Sequence, residues 1–287
     1  MPSRVRQIID EHGSLVFPGV YDPLSAKVAE RAGFPLGFVS GYAVSATLLG
    51  EPDLGLLTQT EIVDRARRIC GAVTMPIIVD ADTGYGSVLN VVRTVSELID
   101  AGAAGCFLED QQSPKRCGHM PGKRVLERAE YLEKIRAAVD TRGDHDFFIV
   151  ARTDALAAVG LDEALGRVHA AHIAGADATF VEAPSSIDQL ADVGRLAPKP
   201  TVANMVEHGR TPVLDQTRLA EMGFDLILYP LTGLYAATHA LTTVYRHLRE
   251  RGATTEATDS LMTFQQFNDL IGVSEKNALS EKFREGV

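Results

Sequence analysis

The sequence predicts an α/β fold: a (β/α)8 TIM barrel with extra C-terminal helices. Three observations point there. Eight short apolar runs alternate with eight amphipathic stretches over about 240 residues, as repeated strand–helix units do. Each short run is almost continuously apolar, as a parallel strand covered on both faces must be. The rival, a doubly wound sheet, favours a glycine-rich phosphate fingerprint after its first strand, and Pro18-Gly19-Val20-Tyr21-Asp22-Pro23 is not one.

In chain order, the expected strands are 15–21, 36–41, 76–82, 105–110, 147–153, 178–183, 200–204 and 225–229. The helices expected between them are 23–33, 58–73, 88–102, 127–142, 161–174, 186–196, 215–222 and 234–251. In 88–102, Val88, Leu89, Val91, Val92, Val95, Leu98 and Ile99 recur at helical spacing, and Ala101-Gly102 closes the segment. Gly33, Gly175 and Gly223 supply similar stops. No low-complexity linker interrupts the pattern, so 1–254 reads as one catalytic barrel and 255–287 as a helical extension of it. In that extension Met262, Phe264, Phe267, Leu270 and Ile271 form an apolar helical face that the barrel does not require. The face either caps the barrel or packs on another subunit.

Composition excludes several classes of function. The chain has 287 residues, 45% hydrophobic and 23% charged, an ordinary globular balance. Its net charge of −10 argues against nucleic acid as a partner, because phosphate binding needs a basic face. There is no run of about 18 apolar residues, hence no expected membrane span. The N-terminal stretch has no apolar signal core, and a cytoplasmic location is expected. Cys70, Cys106 and Cys117 show no disulfide spacing, which suits a reducing compartment. Cys70 falls in a helical pattern and Cys106 in a strand pattern, so both read as buried small hydrophobes.

In such a barrel, function gathers at the C-terminal ends of the strands. Polar groups recur there: Ser40-Gly41, Asp80 and Asp82, Glu109-Asp110, Arg152-Thr153-Asp154, Glu182, Asn204, then Tyr229-Pro230-Leu231-Thr232. A ring of this kind is hard to explain as packing, since unpaired buried charge is costly. Asp80, Asp82 and Glu109 are hard oxygen donors, and Asp53 could join them from the second loop. Carboxylates without histidine or cysteine partners favour Mg2+, or Mn2+, over zinc.

The loop after the fourth strand holds Lys115, Arg116, Cys117 and His119 between flexible Gly118, Pro121 and Gly122. A thiol among three potential cations is expected to have a lowered pKa and to be partly thiolate near neutral pH. Cys117 could act as a nucleophile or as an acid/base, and the second role fits better because no Ser-His-Asp or Cys-His-Asn order is evident. His119 could share the proton or bind a carboxylate. His208 reads as a loop cap, His169, His172 and His239 as surface or packing residues, and Lys134, Arg136, Arg246 and Arg249 as solvated helix faces.

Asp-Ala-Asp-Thr-Gly-Tyr-Gly (80–86) and Lys-Arg-Cys-Gly-His (115–119) resemble the isocitrate lyase/phosphoenolpyruvate mutase superfamily. The likeness runs from Pro-Gly-Val-Tyr-Asp (18–22) through Ala-Arg-Thr-Asp-Ala (151–155) and Asn-Met-Val-Glu (204–207) to the tail. Within that superfamily the cysteine loop marks carbon–carbon bond lyases. The resemblance implies an (α/β)8 barrel in a homotetramer, with C-terminal helices exchanged between paired subunits. It implies Mg2+ held by Asp82, with Asp80, Asp53 and Glu109 acting largely through waters. Substrate would be a small 2-hydroxy or 2-keto dicarboxylate. The backbone of Ser40-Gly41 would hold its keto-acid carboxylate, Arg152 would contact the same group, and Glu182 would join the polar network. Asn204, Thr232 and the Gly118-His119 turn would face the second carboxylate, with Lys115 and Arg116 as further substrate-binding candidates. Cys117 would protonate the carbanion left by cleavage. Tyr42, Glu182 and a metal-bound water are alternative acceptors of the hydroxyl proton.

Departures from the superfamily pattern narrow the expected substrate. Methylisocitrate lyases usually carry arginines at the positions matching Met120 and Tyr235, which suit a tricarboxylate. Oxaloacetate-hydrolysing relatives tend to carry serine at the position matching Pro230. The expected activity is cleavage of a substituted malate such as 2,3-dimethylmalate to pyruvate and a short carboxylate. Cleavage of 2-methylisocitrate, hydrolysis of oxaloacetate and phosphonate mutase chemistry follow in that order.

Overall fold

The computed structural model describes residues 3–284. Eight strands, β1 (Leu15–Val20), β2 (Gly37–Val39), β3 (Ile77–Asp80), β4 (Gly105–Glu109), β5 (Phe148–Thr153), β6 (Ala178–Val181), β7 (Thr201–Asn204) and β8 (Leu226–Tyr229), pair in sequence order. Every pairing is parallel, and β1 closes on β8 through Leu15–Leu226 to Pro18–Tyr229. The (β/α)8 barrel read from the sequence therefore forms, each strand within a few residues of its expected place. Strands end where the chain turns polar, because Ser40 and Asp82 leave the ladder to face the mouth.

The helices begin at capping residues that satisfy their free N–H groups. Asp22 accepts from Ser25 N at 2.7 Å and starts α2 (Pro23–Arg31), with Pro23 at the tolerated first position. Thr58 and Glu61 form a capping box at α4 (Gln59–Cys70). Ser87 and Asn90 do the same for α5 (Val88–Asp100), which buries Val91, Thr94, Val95 and Leu98. Then follow α6 (Arg128–Arg142), α8 (Leu161–Ile173), α9 (Ile187–Leu196) and α10 (Gln216–Glu221).

Three helices were not expected: α1 (Arg4–His12), α3 (Gly41–Val44, running into a π-helical turn at Ser45–Leu49) and α7 (Ala155–Ala158). In α1 only Val5 and Ile9 are buried, too few to register as a helical stripe. They join the interior cluster of Phe17, Phe38, Ile78, Phe107, Phe148 and Phe180. Phe38 and Phe107 lie 4.7 Å apart and Phe107 and Phe180 5.7 Å apart, centroid to centroid. Favourable offset and edge contacts make these rings a firm interior layer.

The chain divides into two compact units, 1–233 and 234–287. The second holds nearly all of α11 (Thr232–Arg251), then α12 (Phe264–Ile271) and α13 (Val273–Lys282), which turn about Gly272 in the left-handed region. Phe264 and Phe283 in this unit are 84% and 74% exposed, and Met262, Phe267 and Ile271 are exposed as well. No helix among the described residues is long and apolar enough to cross a membrane.

Candidate active site

The strand ends meet at one mouth around a cavity of about 50 Å³. Phe38, Phe107 and Phe180 form its floor, Ser40, Tyr42, Asp53, Asp80, Arg152, Glu182 and Asn204 its polar wall, and Val206, Leu228, Pro230 and Leu231 an apolar side. Lys115, Cys117, Gly118 and His119 line it too, so the loop after β4 lies over the mouth.

Ser40 caps α3 through Ala43 N at 3.3 Å. Gly41 N then donates to Asp80 Oδ2 at 3.3 Å. A Cβ on Gly41 would stand 2.8 Å from that oxygen, so only glycine lets the backbone approach. Asp80 Oδ1 accepts from Asp82 N at 3.1 Å, and Asp82 itself has φ +48°. Burial first, and Asp82 second, raise the Asp80 carboxyl. Burial also raises Asp82, against the pull of Lys115, and raises Glu109 well above the carboxylate range against the pull of Arg152.

The countercharge comes from the loop. Lys115, 6% exposed, places Nζ 2.6 Å from Asp53 Oδ1 and 2.6 Å from Asp82 Oδ1. Burial works against its charge, but Asp82, Asp53, Asp80 and Glu109 outweigh that and hold the ammonium well above its usual range. Even so, Glu109 Oε1 is buried without a hydrogen-bond partner. This all-oxygen set, crowded with negative charge and holding unsatisfied lone pairs, fits a hard divalent cation. Among the described residues no three His, Cys, Asp or Glu side chains are grouped so that they alone could hold a metal ion.

Arg152 organises the opposite wall. Its guanidinium lies 3.1 Å from Glu109 Oε2, 3.0 Å from Asp154 Oδ2 and 3.7 Å from Glu182 Oε2, with Cζ 5.5 Å from the Phe180 ring centre. Burial alone would raise the Glu182 carboxyl. Arg152, His119 and Lys123 overturn that and hold it down at about 2. Asn204 Nδ2 donates to both Glu182 oxygens at 3.3 and 3.2 Å, leaving its own Oδ1 free toward a ligand. His119 Nε2 lies 3.1 Å from Glu182 Oε1, and its Nδ1 accepts from Arg210 N at 3.0 Å.

Two expectations need correction, the Cys117 thiolate and the solvated Lys134. Cys117 is not a partial thiolate: burial pushes its thiol up to about 11, with Asp53 and Glu182 adding to the rise. Its three neighbouring cations point elsewhere. Lys115 faces Asp53 and Asp82, His119 faces Glu182, and Arg116 is exposed with Nη1 turned to Pro121 O at 3.4 Å. Arg116 therefore lies outside the cavity lining. Thr232 is also exposed and outside the lining, its hydroxyl donating to Glu207 Oε1. Lys134 is not a solvated helix residue; it is buried and donates to Thr83 O at 3.0 Å, bracing the segment that carries Asp82. The remaining candidates, Ser40, Gly41, Tyr42, Asp53, Asp80, Asp82, Glu109, Lys115, Cys117, Gly118, His119, Arg152, Glu182 and Asn204, are brought together at the mouth.

Sequence reasoning missed Lys123 and Arg167, and gave Asp110 only as a polar strand end without a role. Asp110 is fully buried, accepting from Thr153 Oγ1 at 2.5 Å, Asp154 N at 2.8 Å and Arg167 Nη1 at 3.0 Å. Its one sequence signal was position, directly after Glu109 at the end of β4.

With this geometry in hand, comparison with known proteins adds the family. Residues 5–249 match the family model described as phosphoenolpyruvate phosphomutase. The chain is 50% identical over 273 residues to the chloroplastic carboxyvinyl-carboxyphosphonate phosphorylmutase of Arabidopsis thaliana, covering 94% of this chain and 80% of that one. It is 42% identical over 284 residues to the 2,3-dimethylmalate lyase of Eubacterium barkeri, covering 99% and 98%. Among solved structures, an oxaloacetate acetylhydrolase bound to 3,3-difluorooxalacetate superposes with TM-score 0.91 at 36% identity, over 97% and 95% of the chains. A phosphonopyruvate hydrolase solved with oxalate and Mg2+ superposes with TM-score 0.87 at 30% identity, over 97% of each chain. The names of these relatives describe different reactions, and the two solved structures share the fold. The chain belongs to the phosphoenolpyruvate phosphomutase family, within the isocitrate lyase/phosphoenolpyruvate mutase superfamily.

Proposed function

We propose that the protein is a Mg2+-dependent carbon–carbon lyase that cleaves a substituted malate, 2,3-dimethylmalate or a close analogue, to pyruvate and a short carboxylate. One observation carries this reading: Cys117, whose thiol burial pushes up to about 11, lines a cavity together with Asp53, Asp80, Glu182, Lys115, His119 and Arg152. A group that must deliver a proton to carbon is useful in its acid form, and a raised pKa keeps it so at neutral pH.

The residues divide the work. Asp82 would hold the divalent ion, with Asp80, Asp53 and Glu109 around it. That ion would lower the pKa of the substrate's 2-hydroxyl and neutralise the oxygen left on it. Gly41 N and Arg152 present donors to the carboxylate next to the hydroxyl, while Asn204 and His119 face the second carboxylate. When C2–C3 breaks, the 2-hydroxyl proton passes to Tyr42, Glu182 or a bound water, the bond's electron pair stays on C3, C2 becomes the keto carbon, and the Cys117 thiol supplies the proton that C3 takes. Lys115, Gly118 and His119 keep the loop over the mouth and exclude water that would compete for that carbon.

Val206, Leu228, Pro230 and Leu231 support a small alkyl substituent, and Met120 is a poor partner for a third carboxylate. The relatives' names keep 2-methylisocitrate cleavage as the second choice, oxaloacetate hydrolysis third and phosphonate mutase chemistry fourth. The exposed apolar residues of the second unit support a homotetramer, and three free cysteines suit the cytoplasm. A lactate dehydrogenase-coupled assay over a panel of malates tests the reading. Pyruvate is expected from 2,3-dimethylmalate; pyruvate from 2-methylisocitrate but not from dimethylmalate would reverse the first two choices.

A further inference from the structure

Lys123 sits at the far end of the loop after β4, and its side chain is 1% exposed. Nothing in its local sequence, Pro121-Gly122-Lys123, asks for burial. Its Nζ donates to the Gly118 carbonyl and, at 2.8 Å, to Asp154 Oδ1. Asp154 is fully buried after β5, and the same carboxylate accepts from Arg152 Nε at 3.0 Å and Nη2 at 3.3 Å. Its backbone N–H is fixed by Asp110 Oδ1 at 2.8 Å. One carboxylate thus serves a loop lysine and the arginine of the cavity wall.

The loop is held mainly by polar contacts, Lys115 on Asp53 and Asp82 and His119 on Glu182 among them. Between 111 and 125 the buried residues are Gln111, Lys115, Gly118 and Lys123, none of them apolar. Gly118 is seated so tightly that a Cβ would stand 2.5 Å from Glu182 Cγ and 2.7 Å from Arg152 Nη2. The carbonyl that Lys123 binds belongs to this residue, the one directly after Cys117. A buried ammonium is tolerated only when paired and hydrogen-bonded, so Lys123 can occupy its place only when Gly118 and Asp154 are both in register.

We propose that Lys123 is a positioning residue: it latches the loop to Asp154, orients the Cys117–Gly118 segment over the cavity, and ties loop seating to the placement of Arg152. Its catalytic consequence rests on the lyase reading above, through Cys117 as proton donor. The latch itself is independent of substrate identity and can be read from access to the thiol.

The test is the rate of Cys117 alkylation by iodoacetamide at pH 8, followed by mass spectrometry, in wild type, Lys123→Met and Lys123→Arg, with melting curves in parallel. Removing a cation would by itself lower the thiolate fraction and slow alkylation, so acceleration reports opening. Lys123→Met is expected to react about 10-fold faster at little change in Tm, because the loop opens without the barrel unfolding. Its kcat on the accepted malate should fall about 100-fold with KM changed far less, since the proton donor is misplaced, not removed. Lys123→Arg should recover part of the protection. Equal alkylation of folded wild type and Lys123→Met would overturn the latch even if turnover is found, and loss of the lyase reading would leave the alkylation result standing. Should Lys123→Met not fold, hydrogen exchange on the wild type decides. Amides of 116–123 are expected to open as one protected unit, and exchange at the rate of an unstructured peptide would refute the proposal.

Discussion

The Lys115 ammonium lies 2.6 Å from Asp82 Oδ1, both side chains 6% exposed, so the loop delivers a positive charge into the acidic ring on which the proposed chemistry depends. The pair is a closure contact as much as a charge contact: it exists only while the loop covers the mouth. Asp82→Ala is expected to abolish turnover by removing the principal ligand, with weak rescue at high Mg2+, because no other carboxylate stands in the same place. Activity measured after dialysis against EDTA checks the same point, and undiminished turnover there would take the ion out of the account.

Cys117→Ala should lower kcat by about 10²- to 10⁴-fold, the usual contribution of a positioned acid, while oxalate or pyruvate still binds. Calorimetric titration beside the coupled assay separates the two effects. A near-wild-type kcat would contradict the proton-donor role.

The Cys117 thiol is pushed up to about 11 from an ordinary 9.0. The raised value means the neutral form persists to higher pH, so alkylation of the closed enzyme should climb through about pH 11, not level off near 9. A profile that levels off below pH 8 would restore the thiolate expected from the basic sequence of the loop. The miss has a physical source: sequence counts the cations beside a thiol, whereas the shift depends on where they point, and all three point away.

Glu182 is held down at about 2, below its ordinary 4.5. A depressed carboxyl stabilises the fold fully above the unfolded value and loses that contribution as pH falls from about 4.5 toward 2. The Tm difference between wild type and Glu182→Gln should therefore be largest near neutrality and shrink below pH 4.5. A difference that is constant from pH 7 to pH 3 would show that the ion pairs with Arg152 and His119 contribute little.

Gly118→Ala is expected to cost about 10²-fold or more in kcat with Tm nearly unchanged. The added methyl meets Glu182 and Arg152, so the loop cannot seat, while the barrel core is untouched. Paired measurement of kcat and thermal melting distinguishes this from a folding defect.

The barrel was legible because buried parallel strands are continuous apolar runs and their helices show a helical apolar period closed by glycines such as Gly102 and Gly175. The acidic ring was legible because Asp80, Asp82 and Glu109 stand at strand ends, where the fold sends its polar groups. Lys123 and Lys134 were not. A lysine reads as solvent-facing until its partner is known, and those partners, Asp154 with Gly118 O and Thr83 O, come from other elements. Arg116 and Thr232 are the site candidates that lie exposed, outside the cavity lining.

The central claim, that Cys117 hands its proton to the carbon released by cleavage, is tested most directly by running the reaction in D2O on 2,3-dimethylmalate and examining the propionate by NMR. A thiol fixed on one side of the cavity predicts one deuterium at C2 in a single configuration. Racemic deuterium, the mark of quenching by bulk water, or no propionate at all, would contradict it.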